Sequence, residues 1–253
     1  MIKYVTGQEE KDFILLCGRA NIYACRIGCL WDSYGQGFPD VYFWIQYTDG
    51  LPSAAIAKWN NDVTVLLTDS SDVDELREFL SITGFGSVLS EKVIFPDMAY
   101  SEGIVMERQK AAVPTQCPYS YVFDEQSPLN KVHQLLWHCR GNGFAVPCLE
   151  DFLLDVSHKL RHHTAGCIAV MDHEKCISFA MTTALTASCA VIGAVATDNV
   201  YRKKGIGTFC VAELAAHCGS RRILLMRDPD KNEHFYQTSG FQNIGRFVMI
   251  ERQ

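Results

Sequence analysis

The chain has 253 residues, of which 48% are hydrophobic and 21% are charged, and its formal net charge is −6. This composition fits one or two globular domains with a full-sized core and excludes a disordered or fibrous chain. The acidic balance argues against a nucleic-acid-binding surface, which would show an excess of basic residues.

Two features bear on the cellular compartment. The eleven cysteines are an odd number, and the first ten residues lack the apolar core of a signal peptide. We therefore expect reduced, mostly buried thiols in a cytoplasmic protein. Residues 176–197 contain no charged side chain, but their serine, threonine and β-branched residues favour two buried strands over a membrane-spanning helix. Oligomeric state leaves no signature in the sequence.

In the first half, hydrophobic periodicity and turn residues predict three helices and three strands. The helices are expected over 9–17, 22–30 and 73–81, and the strands over 41–47, 53–59 and 63–68. Cys25 and Cys29 lie one helical turn apart. Because no second pair stands at a zinc-like spacing, they are predicted to be small core residues. Residues 110–118 form the predicted linker.

The second half alternates strands and helices. Strands are predicted over 119–123, 166–171, 176–185, 191–197 and 223–226, and helices over 129–139, 149–160 and 207–218, with a last helix starting at Asp228-Pro229. His158, His162, His163 and Cys167 could be assembled into a metal site. Histidines near a helix end also complement the helix dipole, so surface histidines are the expected reading and no metal is expected.

Residues 202–207 read Arg-Lys-Lys-Gly-Ile-Gly, directly after a predicted strand and before a predicted helix. Glycines let the backbone approach a ligand closely, and the first N–H groups of a helix are unpaired donors at the positive end of its dipole. The pattern thus predicts a phosphate site. It lacks the Gly-Lys-Ser/Thr of a P-loop and the third glycine of a dinucleotide fingerprint. An ordinary tight turn is the alternative.

This Arg-x-x-Gly-x-Gly turn resembles the pyrophosphate-binding turn of the GNAT acetyltransferase superfamily. A second signature of that family, an aromatic-Tyr pair four residues before Gly-Phe, appears at Phe235-Tyr236 and Gly240-Phe241. The resemblance covers about residues 117–253 and implies a mixed α/β fold of the GNAT type.

The resemblance also implies the residues of the site. Acetyl-CoA would bind with its pantetheine arm along the strand before the turn and its pyrophosphate on the turn, and Tyr236 matches the family's general acid, which protonates the departing thiolate. The cofactor-binding residues implied in this way are Val195, Ala196, Thr197, Arg202, Lys203, Lys204, Gly205, Ile206, Gly207 and Thr208.

A short internal repeat suggests that the chain is a tandem. Residues 78–85 align with residues 234–241, and similar apolar strands precede the two copies. We predict a shortened GNAT-like unit over residues 1–110 and a GNAT acetyltransferase domain over 117–253.

In this alignment the first copy has only residues 60–62 where the second carries the glycine turn, and Leu80 where the second has Tyr236. The first unit is therefore expected to bind no cofactor and to wall the acceptor cleft.

Together these features predict an acyl-CoA-dependent N-acyltransferase, acetyl being the expected group, with a small-molecule or peptide amine as acceptor and no nucleic-acid or membrane partner. The predicted strand before the turn has no carboxylate where many relatives keep a general base, so Asp228 or Glu174 would have to act through water. A non-catalytic acyl-CoA-binding or regulatory module and a Cys/His metal protein are the alternatives.

Overall fold

Twelve strands form one continuous sheet that runs through both halves of the chain. The structure, a computed structural model, describes residues 1–109, 116–141 and 146–252. The first half contributes β1 (Ile2–Tyr4), α1 (Glu10–Cys17), α2 (Ile22–Tyr34), β2 (Val41–Thr48), β3 (Leu51–Trp59), β4 (Asp62–Leu67), α3 (Val73–Thr83), β5 (Ser87–Ser90) and β6 (Tyr100–Arg108). The second half contributes β7 (Ser120–Phe123), α4 (Leu129–Cys139), α5 (Leu149–Arg161), β8 (Cys167–Asp172), β9 (Lys175–Leu185), β10 (Cys189–Thr197), α6 (Ile206–His217), β11 (Arg222–Arg227), α7 (Glu233–Thr238) and β12 (Phe241–Glu251).

The predicted mixed α/β fold is confirmed, and most predicted elements agree with the structure to within a few residues. The uncharged stretch 176–197 forms β9 and β10, joined by a turn, as expected. Cys25 and Cys29 are buried core residues, as predicted. In the described part of the chain no helix is both long and apolar enough to cross a membrane. The predicted linker falls mostly outside the described residues.

The two halves exchange their last strands. The strand order is β1-β2-β3-β4-β5-β12-β6-β11-β10-β9-β8-β7. The last strand of the first half, β6, therefore lies between β12 and β11, and β12 lies between β5 and β6. The two exchanged strands pair antiparallel from Phe241 opposite Arg108 to Ile250 opposite Tyr100. Each half is thus completed by a strand of the other.

The topology corrects the internal alignment made from the sequence. Strands β4 and β5 are parallel and joined through α3, just as β10 and β11 are parallel and joined through α6. The counterpart of the glycine turn is therefore the loop 68–72 before α3, and not the hairpin at 60–62. Asp72 caps α3 by accepting hydrogen bonds from the amides of Asp74 and Glu75. The carboxylate of Asp72 thus occupies amides at the start of α3 and adds negative charge there, which disfavours binding of a phosphate.

The last helix begins later than predicted. It was expected from Asp228-Pro229, whereas α7 starts at Glu233 after Asn232 in the left-handed conformation, with φ of 58°. The guanidinium of Arg227 donates hydrogen bonds to the carbonyls of Asp228 and Pro229, which would otherwise be free to accept from the next turn of a helix. These bonds hold residues 228–232 as a loop.

Helix α2 connects the two halves on one face of the sheet. Its buried residues share one hydrophobic cluster with side chains of β2 and β3 in the first half and of β10 and β11 in the second. On the other face α6 packs against β8–β11 in a second cluster, and α3 packs against β3–β5 in a third. The sheet is therefore covered on both faces, as parallel strand pairs require.

Close approach of the exchanged strands depends on Gly103 of β6. A Cβ atom at this position would lie 2.0 Å from the Cζ atom of Phe247 on β12 and 2.9 Å from the carbonyl oxygen of Arg227. We predict that Gly103→Ala lowers the free energy of unfolding by about 1–3 kcal/mol, since overpacking must move the ring or the backbone. Chemical denaturation measures this loss.

Gly245→Ala is the matched control, because Gly245 lies on the adjacent strand and a Cβ there meets no atom within 4 Å. Equal stability of the two variants would contradict the proposed tight contact at Gly103.

Candidate functional site

A cleft opens where β10 separates from β11. The two strands pair only from Cys189 opposite Arg222 to Ile192 opposite Leu225. Beyond that point β10 is irregular between Gly193 and Ala196 and follows β9, whereas β11 continues along β6. The resulting cleft has a volume of about 810 Å³. This lies within the range of about 300–1,000 Å³ that is typical of small-molecule sites.

The glycine turn forms one wall of this cleft. Gly205 caps α6 in the left-handed conformation, with φ of 79°, and offers no side-chain acceptor to the helix amides. Lys203 also has a positive φ, of 60°. The first amides of α6 therefore have no partner within the helix and point their donors, with the positive end of the dipole, at the cleft mouth. The turn has the construction of an anion site.

Gly207 keeps α6 close to β10. A Cβ atom there would lie 2.9 Å from Oγ1 of Thr197 and 3.4 Å from the ring of Phe235. The Thr197 hydroxyl is itself fixed, since it shares a 2.8 Å hydrogen bond with the hydroxyl of Ser178. Any side chain at position 207 would fill the space between turn and strand.

The three basic residues of the turn differ in position. Arg202 braces the turn, because its Nε donates a 3.0 Å hydrogen bond to the carbonyl of Thr197. Lys203 lines the cleft. Lys204 instead lies with Nζ 5.2 Å from the ring centre of Tyr201 and does not line the cleft. The cleft is lined by Tyr236 and by every predicted cofactor-contacting residue except Lys204.

Tyr236 projects from α7 toward the cleft. Its ring packs against the rings of Phe235 and Phe241, at centroid distances of 5.0 and 6.0 Å. Its hydroxyl makes no hydrogen bond to any residue in the described ranges, so the donor is available to a ligand. Burial raises the pKa of this phenol above its ordinary value of 10.0. The phenol is therefore protonated at neutral pH.

Of the two carboxylates considered as a base, only Asp228 lines the cleft. Its Oδ2 atom lies 2.7 Å from the Nζ atom of Lys231, and the two side chains form an ion pair. Glu174 lies elsewhere, on an exposed turn, where it pairs with Lys131. The suggestion that Glu174 serves this site is therefore wrong.

His158, the histidine of α5, contributes to packing. The Nε2 atom of His158 lies 2.6 Å from the carbonyl oxygen of Ser33, and its ring stacks on Tyr34. Cys167 is buried, with its thiol toward the carbonyl of Asp124 and the hydroxyl of Ser127. Among the described residues no three His, Cys, Asp or Glu side chains are grouped so as to hold a metal ion.

Several lining residues were not predicted. They are Cys139, Gly141, Ile192, Gly193, Ala194, Tyr201, Met226, Arg227, Lys231, Asn232, His234, Phe235 and Thr238. Residues 226–228 lie at the carboxyl end of the parallel strand β11, next to a glycine turn, which is where ligands bind in open α/β sheets. That rule could have found them. Cys139, the last residue of α4, and Gly141, just beyond the helix, also line the cleft, and no local sequence pattern marks them.

Thiol reactivity provides a direct check on the cleft. All cysteines are free; Cys148 is exposed, Cys139 is partly buried in the cleft wall, and residues such as Cys210 are buried. Burial raises the pKa of the Cys139 thiol. We predict that Cys148 is alkylated first, Cys139 more slowly, and Cys210 only after unfolding, because alkylation requires an accessible thiolate.

Pulsed alkylation followed by peptide mass spectrometry gives the order. Labelling of Cys210 in the native protein as fast as that of Cys148 would contradict the packing described above.

Comparison with known proteins agrees with this geometry. Residues 129–241 match the sequence model of the Acetyltransferase (GNAT) family. The matched range includes the glycine turn and Tyr236. No curated protein matches the chain.

Solved structures resemble the whole chain in fold. An acetyltransferase of the GNAT family from Colwellia psychrerythraea is 10% identical, with a TM-score of 0.63 and full coverage of both chains. A tandem GNAT protein from the clavulanic acid biosynthesis pathway, solved without AcCoA, is 10% identical, with a TM-score of 0.63 over 99% of this chain and 98% of its own. A Drosophila protein is 9% identical, with a TM-score of 0.68 over 98% of both chains.

Proposed function

We propose, from the match of residues 129–241 to the Acetyltransferase (GNAT) family model, that the protein is an N-acyltransferase that transfers an acyl group, acetyl in the first place, from acyl-CoA to a primary amine. The observation that carries the proposal is the glycine turn at the start of α6, which opens onto the gap between β10 and β11 beside Tyr236. We propose the cytoplasm as its location, in keeping with the free cysteines.

The residues present fit a coenzyme A molecule. Its pyrophosphate would lie on the amides of residues 203–208, where no helix partner competes and where Lys203 adds positive charge. The space that a side chain at Gly207 would fill supports close contact of the phosphates with the backbone. The pantetheine arm would run along residues 193–197 of β10, which do not pair with β11.

The carbonyls of Ala196 and Thr197 already accept hydrogen bonds from Ser178 and Arg202. We therefore propose that most of the backbone groups that bind the pantetheine arm belong to the irregular residues Ala194 and Val195. The sequence analysis had implied Val195 to Thr197, which lie slightly nearer the glycine turn.

Tyr236 is proposed as the general acid. When the amine attacks the thioester, the carbon–sulfur bond breaks and the departing thiolate needs a proton. A thiolate of coenzyme A is about as basic as a phenolate, so a neutral phenol can supply that proton. Burial favours the neutral form of Tyr236. The attacking amine must lose a proton in turn, and Asp228 is the carboxylate proposed to accept it through water.

The deciding experiment is calorimetric titration of the full chain with acetyl-CoA and, separately, with a pantetheine fragment lacking phosphate. We expect acetyl-CoA to bind in the micromolar range and the fragment to bind far more weakly. Absence of acetyl-CoA binding would overturn the proposal. Binding without turnover on a broad panel of amines would instead favour the non-catalytic acyl-CoA-binding module.

A charge placed in the glycine turn should prevent binding. We predict that Gly205→Glu abolishes acetyl-CoA binding, because its carboxylate would lie among the amides that hold the pyrophosphate. Gly205→Gln has the same volume and the same backbone strain at φ of 79° but no charge. The difference in dissociation constant between the two variants measures the charge effect. Similar constants would argue against a phosphate at this turn.

Removal of the hydroxyl oxygen of Tyr236 tests its proposed role as general acid. We predict that Tyr236→Phe lowers kcat by about 10²–10⁴-fold, the usual range for a general acid, and leaves the dissociation constant of acetyl-CoA nearly unchanged. Since the pKa of Tyr236 is raised above 10.0, its proton stays bound up to that pH and the wild-type kcat should show no loss from this group at pH 7–9. Tyr119→Phe is the matched control, since Tyr119 does not line the cleft and contacts it only through the ring of Tyr201. Equal kcat in the wild type and Tyr236→Phe would exclude the assigned role.

A further inference from the structure

The inner end of the cleft lies where β10 and β11 stop pairing. In their last pair, Ile192 lies opposite Leu225, and both residues are buried. The next residue on each strand, Gly193 on β10 and Met226 on β11, is half-buried and lines the cleft. The gap between the strands therefore opens at Gly193 and Met226, and we call this point the apex of the cleft.

Met226 supplies the side chain that fills the apex. Gly193 has none, and a Cβ atom there would lie 2.8 Å from Cγ2 of Thr183, so this part of β10 is held close to β9. Ile192 also lines the cleft but is only 2% exposed. The half-buried Met226 thus presents more surface to a ligand at the apex than Ile192 does.

The position of Met226 is fixed from two sides. Its backbone pairs with Val105 on β6, so β11 does not move away to widen the gap. Its side chain packs against the hydrophobic cluster that α2 shares with both halves. Behind Met226 the protein is therefore filled, and a ligand that needs more depth must displace the methionine from packed neighbours.

The lining of the cleft changes from charged at the outer end to apolar at the apex. The charged residues Arg202 and Lys203 belong to the glycine turn. Buried Arg227 follows Met226, but its guanidinium donates to the carbonyls of Asp228 and Pro229. The residues that line the apex are Ile192, Gly193, Ala194 and Met226. This gradient matches a ligand with phosphates at one end and an apolar group at the other.

We propose that Met226 limits the length of the acyl group, so that the protein takes acetyl or propionyl and rejects longer acyl chains. This inference rests on the proposed acyl transfer. With the pyrophosphate on the glycine turn and the pantetheine arm along β10 toward Gly193, the acyl group is the part of the molecule that reaches the apex. The unbranched thioether of Met226 adapts to a small difference in chain length. A longer chain would overpack the apex.

The test measures binding and needs no amine acceptor. Free coenzyme A and its acetyl, propionyl and butyryl thioesters are titrated calorimetrically into the full chain. We expect the wild type to bind butyryl-CoA about tenfold or more weakly than acetyl-CoA, a usual discrimination for methylenes that a pocket does not admit. In Met226→Ala we expect butyryl-CoA to bind about tenfold more tightly than acetyl-CoA, because each methylene that becomes buried contributes about fourfold.

Two further variants separate a local effect from a general loosening of the core. Met226→Val shortens the side chain less than Met226→Ala, introduces a residue that suits a strand, and should give an intermediate preference. Met249→Ala is the matched control, because Met249 is a half-buried methionine that packs against the same hydrophobic cluster and does not line the cleft. It should keep the wild-type preference for acetyl-CoA.

Each outcome decides the role of Met226. The same preference in the wild type and in both Met226 variants, no preference in the wild type, or a reversed preference in Met249→Ala would overturn the proposal. If the wild type binds neither coenzyme A nor any thioester, the proposed acyl transfer fails and the inference fails with it. If coenzyme A binds and the length preference does not follow the residue at position 226, the inference alone fails.

Discussion

The antiparallel pairing of β6 with β12 is the contact on which the rest of the structure depends. Strand β6 belongs to the first half, yet it holds the far end of β11 through the pairs Met226 with Val105 and Arg227 with Ile104. With β11 fixed in this way, the departure of β10 toward β9 leaves an open gap instead of a shifted sheet. The cleft of the second half is therefore bordered by a strand that a strand of the first half holds in place.

The two halves share a topology but differ in what fills it. In each, a parallel strand pair ends early and a helix follows, so each could in principle open a cleft. In the first half Ile94 and Phe95 are buried in the same cluster as Val65 and Leu67, the residues that diverge from β5. Asp72 occupies the helix donors there. Among the described residues of the first half, apolar side chains and a carboxylate thus fill the places that correspond to the cleft of the second half.

Local patterns predicted the second half well and the relation between the halves poorly. The glycine turn, α4 and the pair of buried strands follow from short-range rules that the structure confirms, because turn chemistry and periodicity are set by neighbouring residues. Strand exchange involves residues more than one hundred positions apart, such as Gly103 and Phe247. Hydrophobic periodicity is a local property and does not indicate which distant strands pair. The repeat misaligned the halves because residues 78–83 lie in α3, whose counterpart in the fold is α6, whereas the aligned residues 234–238 lie in α7. Residues 228–232 were predicted to start a helix and form a loop instead, because the guanidinium of Arg227 makes hydrogen bonds to the carbonyls of Asp228 and Pro229.

The exchanged strands also affect how this chain folds while it is being synthesised. A ribosome delivers the first half complete to residue 108 well before β12 emerges, but β5 then lacks the neighbour that covers its outer edge. An uncovered strand edge is a template for pairing with other chains. The sheet of the first half is therefore incomplete until β12 has been synthesised, and we expect the two halves to fold together rather than as successive domains. Either half alone would lack the strand that the other half contributes and would carry an uncovered strand edge.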